Sequence, residues 1–477
     1  HSYAQLPQQF FAPVHPTPVR EPSLVIVNAM VADLLGLSAD ALSHKGQIEI
    51  LAGNRIPPDG YPIAQAYAGH QFGGFTMLGD GRAILLGEQT TPDGQRLDVQ
   101  LKGSGPTPYS RRGDGRASLG PMLREYVISH AMQSLGIPTT LSLAVVRTGE
   151  PVYRHAAEPG AVLTRIAASH LRVGTFQYAS ALRNPQSLER SESMLQDSRF
   201  TSNPAQPETV NDPLRVLADY AIRRHYPELL DHPDVYWRFL RAVIGRQAEL
   251  VSQWMCVGFI HGVMNTDNVS IAGETIDYGP CAFMNAYNPG TVFSSIDEQG
   301  RYAFGNQPGI CQWNLARFAE ALLPLLSPDA DQALEMATQA IREFPSLFAG
   351  YWLVGMGRKL GLMDAQESDR SLIEMLLSWM ATNELDYTTT FRDLALSQFE
   401  KAEYQSEEFR QWKSVWMERL KSSVAHWDQT QELMKKCNPV VIPRNHLVEE
   451  ALRAAVQAND LAPTQRLLTA LARPFEE

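Results

Sequence analysis

Cysteine is scarce in this chain. Its 477 residues contain four, Cys256, Cys281, Cys311 and Cys437, too few for a disulfide framework, and no CxxC pair gives a zinc or thioredoxin-like spacing. Apolar runs of about 18 residues are also missing, so no membrane-spanning helix is expected. The opening "HSYAQLPQQFFAPVHPTPVREP" lacks a basic n-region followed by an apolar h-region and does not read as a signal peptide. His1 stands where a methionine would, which leaves room for a targeting segment ahead of it. Positive charge is in the minority, 41 Lys and Arg against 52 Asp and Glu for a formal net charge of −11. That balance argues against a nucleic-acid-binding surface over the whole molecule. No repeat or low-complexity tract stands out. The expectation is a monomer with no nucleic-acid or membrane partner in a reducing compartment. That compartment is the cytoplasm for a bacterial chain, or the mitochondrion for a eukaryotic one whose targeting segment has been removed.

What is present fits a soluble globular protein with a large core, at 44% hydrophobic and 19% charged residues. Residues 1–60 read as a Pro-rich, irregular extension around one short helical pattern, "SLVIVNAMVADLLGL". From 82 to 101 the texture becomes strand-like: "RAILLGEQ", a turn at "TPDGQ", then "LDVQLKG", in which Leu97, Val99 and Leu101 alternate with polar residues as in a half-buried strand. "GPMLREYVISHAMQSLGIP" predicts a helix with Pro121 at its first position and Gly136 at its C-terminal cap. Two more strand-like runs follow, "LSLAVVRTG" and "GAVLTRIA". Residues 182–212 are polar and predict a loop or insertion. Helices are then expected over Pro213 to His225, from Pro233 to about Val257, and almost throughout from Asn314 onward. The predicted class is α+β, in the layout of a protein kinase: a strand-containing N-lobe and a large, extended helical C-lobe. The divisions are 1–60 as an extension packing on the lobes, 61–180 as the N-lobe, 181–212 as the polar segment and 213–477 as the C-lobe.

The densest chemistry lies just after the long helix. "HGVMNTDNVS", residues 261–270, is followed by "DYG", Asp277 to Gly279, in the order of a kinase catalytic loop and metal-binding turn, with strand-like "VSIAG" between them. Asn268 and Asp277 are hard oxygen ligands of the type magnesium or manganese prefers. Where a kinase carries its catalytic Asp, however, this chain has Val263. Upstream, Lys102 ends a strand and Glu125 falls inside the next helix, the order in which a kinase clamps a phosphate-binding lysine. Taken alone, such a pair is most often two surface charges.

From Lys102 to Arg172 there are nine basic residues (Lys102, Arg111, Arg112, Arg116, Arg124, Arg147, Arg154, Arg165, Arg172) against four acidic ones (Asp114, Glu125, Glu150, Glu158). The loop "KGSGPTPYSRRGDGRASLGP" is rich in Gly and Arg, so backbone amides and guanidiniums can approach a polyphosphate together. A solvated basic face would also account for it. No G-x-G-x-x-G is present; "LGDGRA", holding Gly79 to Arg82, comes nearest and is weak alone.

Taken together, "YAGHQFGGFTMLGDGRAILLGE", "LKGSG" through "PYSRRGDGRASLGPMLREYVIS", the "HGVMNTDNVSI" and "DYGPCAFM" pair, and "NPVVIPRNHLVEEAL" resemble the selenoprotein O family. Its members are pseudokinases that transfer AMP from ATP to protein side chains. The resemblance implies a kinase-like fold in which ATP, the co-substrate, binds flipped, with its γ-phosphate buried and its α-phosphate at the reactive centre. It implies that Lys102, Arg165 and Arg172 bind the outer phosphates, with Glu125 orienting Lys102. Gly79, Gly81, Arg82, Asp114 and Gly115 would complete the nucleotide site. Asn268 and Asp277 would hold Mg²⁺ or Mn²⁺, with Asp277 also facing the nucleotide. Asp267 would replace the missing base toward Ser, Thr or Tyr hydroxyls of protein substrates. Tyr278 stands where many kinases have Phe, a mild departure. In some relatives a C-terminal selenocysteine or cysteine can form a disulfide with the loop after the metal turn. Here Cys281 sits in "DYGPCAF" but the sequence ends "LARPFEE", which leaves open whether that tail lies outside this sequence or is missing. Two other readings stay open: UMP transfer from UTP, and a non-catalytic nucleotide-binding scaffold. A conventional kinase would leave the arginines without work.

Overall fold

The computed structural model describes residues 1–154, 156–183, 212–422 and 427–476. Its first part is built on nine strands: β1 (Phe11–Pro13), β2 (Ser23–Val27), β3 (Ile63–Gln71), β4 (Gly74–Gly79), β5 (Ala83–Thr90), β6 (Arg96–Lys102), β7 (Ala117–Ser118), β8 (Leu141–Tyr153) and β9 (Ala157–Ala167). They form one antiparallel sheet in the order β1-β3-β5-β6-β9-β8-β2, with β4 added to β3 and β7 to β9. Both edges of that path come from the first sixty residues, a stretch the sequence suggested was irregular. "SLVIVNAMVADLLGL" is accordingly not one helix. Its β-branched half forms β2 on β8, and Asn28 then caps α1 (Ala29–Leu34) by accepting from the Val31 N–H. Two short helices, α2 (Ala39–Leu42) and α3 (Lys45–Leu51), follow.

The hairpin of β5 and β6 around residues 91–95 matches the sequence pattern. One expectation about it fails. β6 is not half-buried: Leu97 and Leu101 are buried on one face, and Asp98, Gln100 and Lys102 are buried on the other. The polar alternation marks a face that carries paired charges indoors. Helix α4 (Leu119–Ser134) packs on β8 and β9; it starts earlier than expected, so Pro121 is its third residue. Its end is as read, with Gly136 at φ +76° after the last turn. Helix α5 (Val173–Leu182) follows β9, and most of the polar segment at 182–212 lies outside the described residues.

The second part is helical. It comprises α6 (Pro213–His225), α7 (Val235–Val257), α8 (Gln307–Leu326), α9 (Ala330–Lys359), α10 (Arg370–Thr382), α11 (Tyr387–Leu396), α12 (Glu407–Ser422), α13 (Trp427–Cys437), α14 (Asn445–Gln457) and α15 (Ala462–Leu471). Helix α7 begins two residues after Pro233, with Asp234 at its N-cap position. None of the described helices is long and apolar enough to cross a membrane. Between α7 and α8 runs the loop that carries the motifs, pinned by a short pairing of β10 (Phe259–Ile260) with β11 (Ala282–Phe283). "VSIAG" is not a strand: Ser270 makes one bridge to Arg172, and the chain turns at once through Gly273, at φ +80°. One core runs through both parts, joining α4 to α5, α6, α7 and α8, and a second fills the space among α9 to α13.

Candidate active site

Each side chain at the site is delivered by an element that the local sequence explains. Lys102 is the last residue of β6, at the end of its buried polar face. Arg165 projects from the neighbouring β9, opposite Gln100 in the register. Arg172 occupies the N-cap position of α5, where its backbone N–H donates to Thr175 Oγ1. Glu125 sits on the buried face of α4.

Asp277 comes from the helical part, through a turn in which it adopts φ +62°. That left-handed conformation is uncommon and costly for a residue with a side chain, and such residues cluster at functional sites. The turn is tied to the loop before it by His261, whose Nε2–H donates to the Ile276 carbonyl at 2.9 Å. Gly262, at φ +82°, is obligatory, because a Cβ there would lie 1.8 Å from the Pro280 carbonyl oxygen.

These residues converge. Lys102 Nζ lies 2.7 Å from Glu125 Oε2 and 3.2 Å from Asp277 Oδ1. Arg165 spans the same two carboxylates, with Nη2 2.6 Å from each. Arg172 pairs with Asp277 Oδ2, donates to the Asp267 carbonyl at 2.8 Å, and lies over the Tyr67 ring at 4.7 Å. Three buried cations thus share two carboxylates, which leaves a positive charge to be matched by a ligand. Burial alone would raise the Asp277 carboxyl, but Arg165, Arg172 and Lys102 hold it well below the usual carboxylate range. Burial also lowers the Lys102 ammonium, helped by Arg165.

Asp267 is set apart from that group. It is buried, its Oδ1 has no hydrogen-bond partner, and Gly69 of β3 makes room for it, since a Cβ there would lie 2.4 Å from Oδ1. Burial pushes its carboxyl up to about 6, with Arg172 pulling partly back. A carboxylate poised near neutrality with one oxygen free of a partner is equipped to take a proton. The same loop is clasped by β3: the His70 N–H donates to Thr266 Oγ1 at 2.7 Å and the Phe72 N–H to Asn265 Oδ1 at 3.2 Å.

The remaining expected residues divide. Asn268 donates from Nδ2 to the Val263 carbonyl at 2.9 Å, which leaves its side-chain oxygen for another use. Gly79 and Gly81 close around Tyr109: a Cβ on Gly79 would meet its ring at 2.3 Å, and one on Gly81 its carbonyl at 3.0 Å. Arg82 is exposed, yet its charge reaches Lys102 and lowers it. Asp114 is exposed and committed to Arg154 at 2.8 Å, and no described contact joins it to the cluster. Gly115 packs on Gly105, whose N–H donates to its carbonyl at 3.1 Å. Of the other arginines in the basic stretch, Arg116 binds the Thr17 and Pro18 carbonyls, Arg124 reaches Glu449, and Arg147 reaches the Ala455 carbonyl. These are structural ties.

Sequence reasoning missed Asp80, although it chose the residues on both sides. Asp80 is buried, accepts from the Gln65 N–H at 3.1 Å and from Gln100 Nε2 at 3.3 Å, and is pushed up to about 6 by burial. Its place between two glycines was the only signal. Cys281 is fully buried, and burial pushes its thiol up to about 12; a disulfide there would require this loop to open.

Among the described residues, no three His, Cys, Asp or Glu side chains form a cluster able to hold a metal by themselves. Mg²⁺ is commonly bound by one or two protein oxygens plus substrate phosphates. Asn268, with its free side-chain oxygen, and Asp277, already ionised, fit that lesser demand.

Buried cations balanced on a shared carboxylate, beside a second carboxylate poised to accept a proton, are the equipment of an enzyme that transfers phosphorus-centred groups. Comparison with known proteins narrows the class. Residues 1–472 match the family described as "Protein adenylyltransferase SelO". The "Protein nucleotidyltransferase YdiU" of Bacillus cereus (strain AH187) is 53% identical over 476 residues, covering 100% of this chain and 92% of the relative. Its counterpart in Shouchella clausii (strain KSM-K16) is 55% identical, covering 100% and 93%. The chain belongs to the SelO family. It is an enzyme, a protein nucleotidyltransferase.

Proposed function

We propose that this chain transfers AMP from ATP to Ser, Thr or Tyr hydroxyls of other proteins and releases pyrophosphate. The observation that carries this reading is the convergence of Lys102, Arg165 and Arg172 on Asp277, with Asp267 alongside and its Oδ1 without a partner. In this reading the β-sheet part and the helical part are the two lobes of a kinase-like fold, divided at the polar segment 181–212, with residues 1–60 as an extension whose strands β1 and β2 form the edges of the sheet. ATP binds with its outer phosphates against the three cations, so that the α-phosphorus faces Asp267. Gly79, Gly81, Arg82, Asp114 and Gly115 belong to the rest of the nucleotide site.

The Asp267 carboxylate takes the proton of the acceptor hydroxyl. The hydroxyl oxygen attacks the α-phosphorus, and the bond from that phosphorus to the bridging oxygen breaks. Its electron pair leaves on pyrophosphate, where Lys102, Arg165 and Arg172 balance the charge. Glu125 holds Lys102 and Arg165 in place for this task. Asn268 and Asp277 would hold Mg²⁺ or Mn²⁺, which when bound neutralises phosphate oxygens. Val263 fits the same scheme, since a base at that position is not needed.

UMP transfer is the competing outcome, and one experiment separates the two. α-Labelled ATP is supplied with an equal concentration of unlabelled UTP, and then the reverse, with protein label and pyrophosphate both counted. AMP transfer predicts label from ATP that UTP does not displace, with one pyrophosphate per label. Label from UTP that survives equal ATP would make the chain a uridylyltransferase.

A further inference from the structure

An open groove of about 740 Å³ has Phe72 on one wall and residues from Ile296 to Ile310 on the other. Its volume is in the range of sites that enclose ligand side chains. Two large apolar side chains face solvent along it, Phe72 at 42% and Ile296 at 66% exposure. Phe72 also adopts φ +51°, unfavourable for an aromatic residue. It is held there by its N–H on Asn265 and by an edge contact with the Tyr302 ring at 5.3 Å. Tyr302 in turn donates its hydroxyl to the same Asn265 oxygen at 2.6 Å. Asn265 is two residues before Asp267, so the groove walls and the proposed base are locked together.

The groove is lined by two carboxylates, Asp297 and Glu298, and one guanidinium, Arg301. Arg301 is fixed by its stacking 4.8 Å over the Trp313 ring, and its Nε is buried without a hydrogen-bond partner. Among the described residues, no carboxylate lies within ion-pair distance of it. The acid of its own turn is engaged with backbone instead: Asp297 accepts from the Arg301 N–H at 2.8 Å and the Tyr302 N–H at 2.7 Å. Glu298 also lines the groove but does not pair with Arg301. An oriented guanidinium without a counter-ion, next to exposed apolar surface, suits a partner that brings both a carboxylate and an apolar side chain.

We infer that this groove docks the acceptor protein as an extended segment, with an acidic side chain near the modified hydroxyl paired to Arg301 and an apolar one against Phe72 and Ile296. The inference rests on the AMP-transfer reading and adds to it the chemistry of the acceptor.

The test uses the full chain, α-labelled ATP and synthetic peptides with a central Ser, Thr or Tyr. Flanking positions are alanine, apart from one scanned position carrying Asp, Glu, Ala or Lys. Wild type is expected to prefer an acid over alanine by about tenfold at one flanking position, as for a close charge pair at an interface. Arg301→Glu should reverse that preference toward Lys, and labelling of the Lys peptide shows that the variant is folded. If Arg301→Glu labels nothing, Arg301→Gln decides: a flat scan supports the docking and a retained acid preference overturns it. Label on wild-type peptides with no flank preference overturns the groove alone. No label on any peptide overturns the transfer reading and the docking with it.

Discussion

Asp267 and Asp277 differ sharply in their surroundings, although both lie near Arg172: one has no partner at Oδ1 and is raised to about 6, the other is gripped by three cations and lowered. Each difference gives a prediction. If Asp267 is the base, transfer falls about tenfold per pH unit below about 6 and is flat above it, because only the ionised carboxylate accepts the proton. Asp80 is also raised to about 6, so the control is a pair of pH profiles: Asp267→Asn should lose the break and about 10²- to 10⁴-fold in rate, while Asp80→Asn should keep the break. The folded-state value of Asp267 lies above its unfolded one, so its ionisation costs stability as pH rises from about 4 to about 6. Asp267→Asn should therefore melt no lower than wild type at pH 7. Asp277→Ala does the opposite. It leaves Lys102, Arg165 and Arg172 buried with Glu125 alone, at a cost of about 3–5 kcal/mol for a broken buried pair. Thermal melts should show the loss, and added pyrophosphate should recover part of it by supplying the missing negative charge; a melt unchanged from wild type would show that the cations do not depend on Asp277.

Among the elements, β6 shows what a pattern can and cannot disclose. Its apolar alternation was readable, and so was the helix carrying Glu125, because period and end signals are local. The burial of its polar face was not readable, because the partners come from elsewhere: Asp98 meets Arg224 of α6 at 2.7 Å and receives the His170 N–H at 3.0 Å, and Gln100 meets Asp80. "SLVIVNAMVADLLGL" was misread for a related reason, since only pairing with β8 tells a strand from one face of a helix. The Asp98 network has a purpose for the site, because it fixes the turn at 168–171 that leads into Arg172. Arg224→Ala would leave the buried Asp98 and the half-buried Glu88 without their shared guanidinium. A loss of about 3–5 kcal/mol is expected in denaturant unfolding, together with weaker ATP binding through the displaced Arg172. Unchanged stability would mean that this network is not a structural tie.

For the whole molecule, the site belongs to neither part alone. The sheet and its helices bring Lys102, Glu125, Arg165 and Arg172, and the loop between α7 and α8 brings Asp267, Asn268 and Asp277. The order of those motifs made most of this constellation readable in the sequence. Asp80, and the groove beside Phe72, were hidden because they arise only where distant segments meet. The central claim is about which phosphorus reacts, and position decides that more than the presence of a base. The direct measurement is transfer to protein from α-labelled and γ-labelled ATP in parallel, by wild type and by Val263→Asp, which restores a carboxylate at the kinase position without touching Lys102, Arg165 or Arg172. Label from the α-phosphate alone, in both proteins, is the predicted result. γ-Label on protein, from either one, would contradict the account.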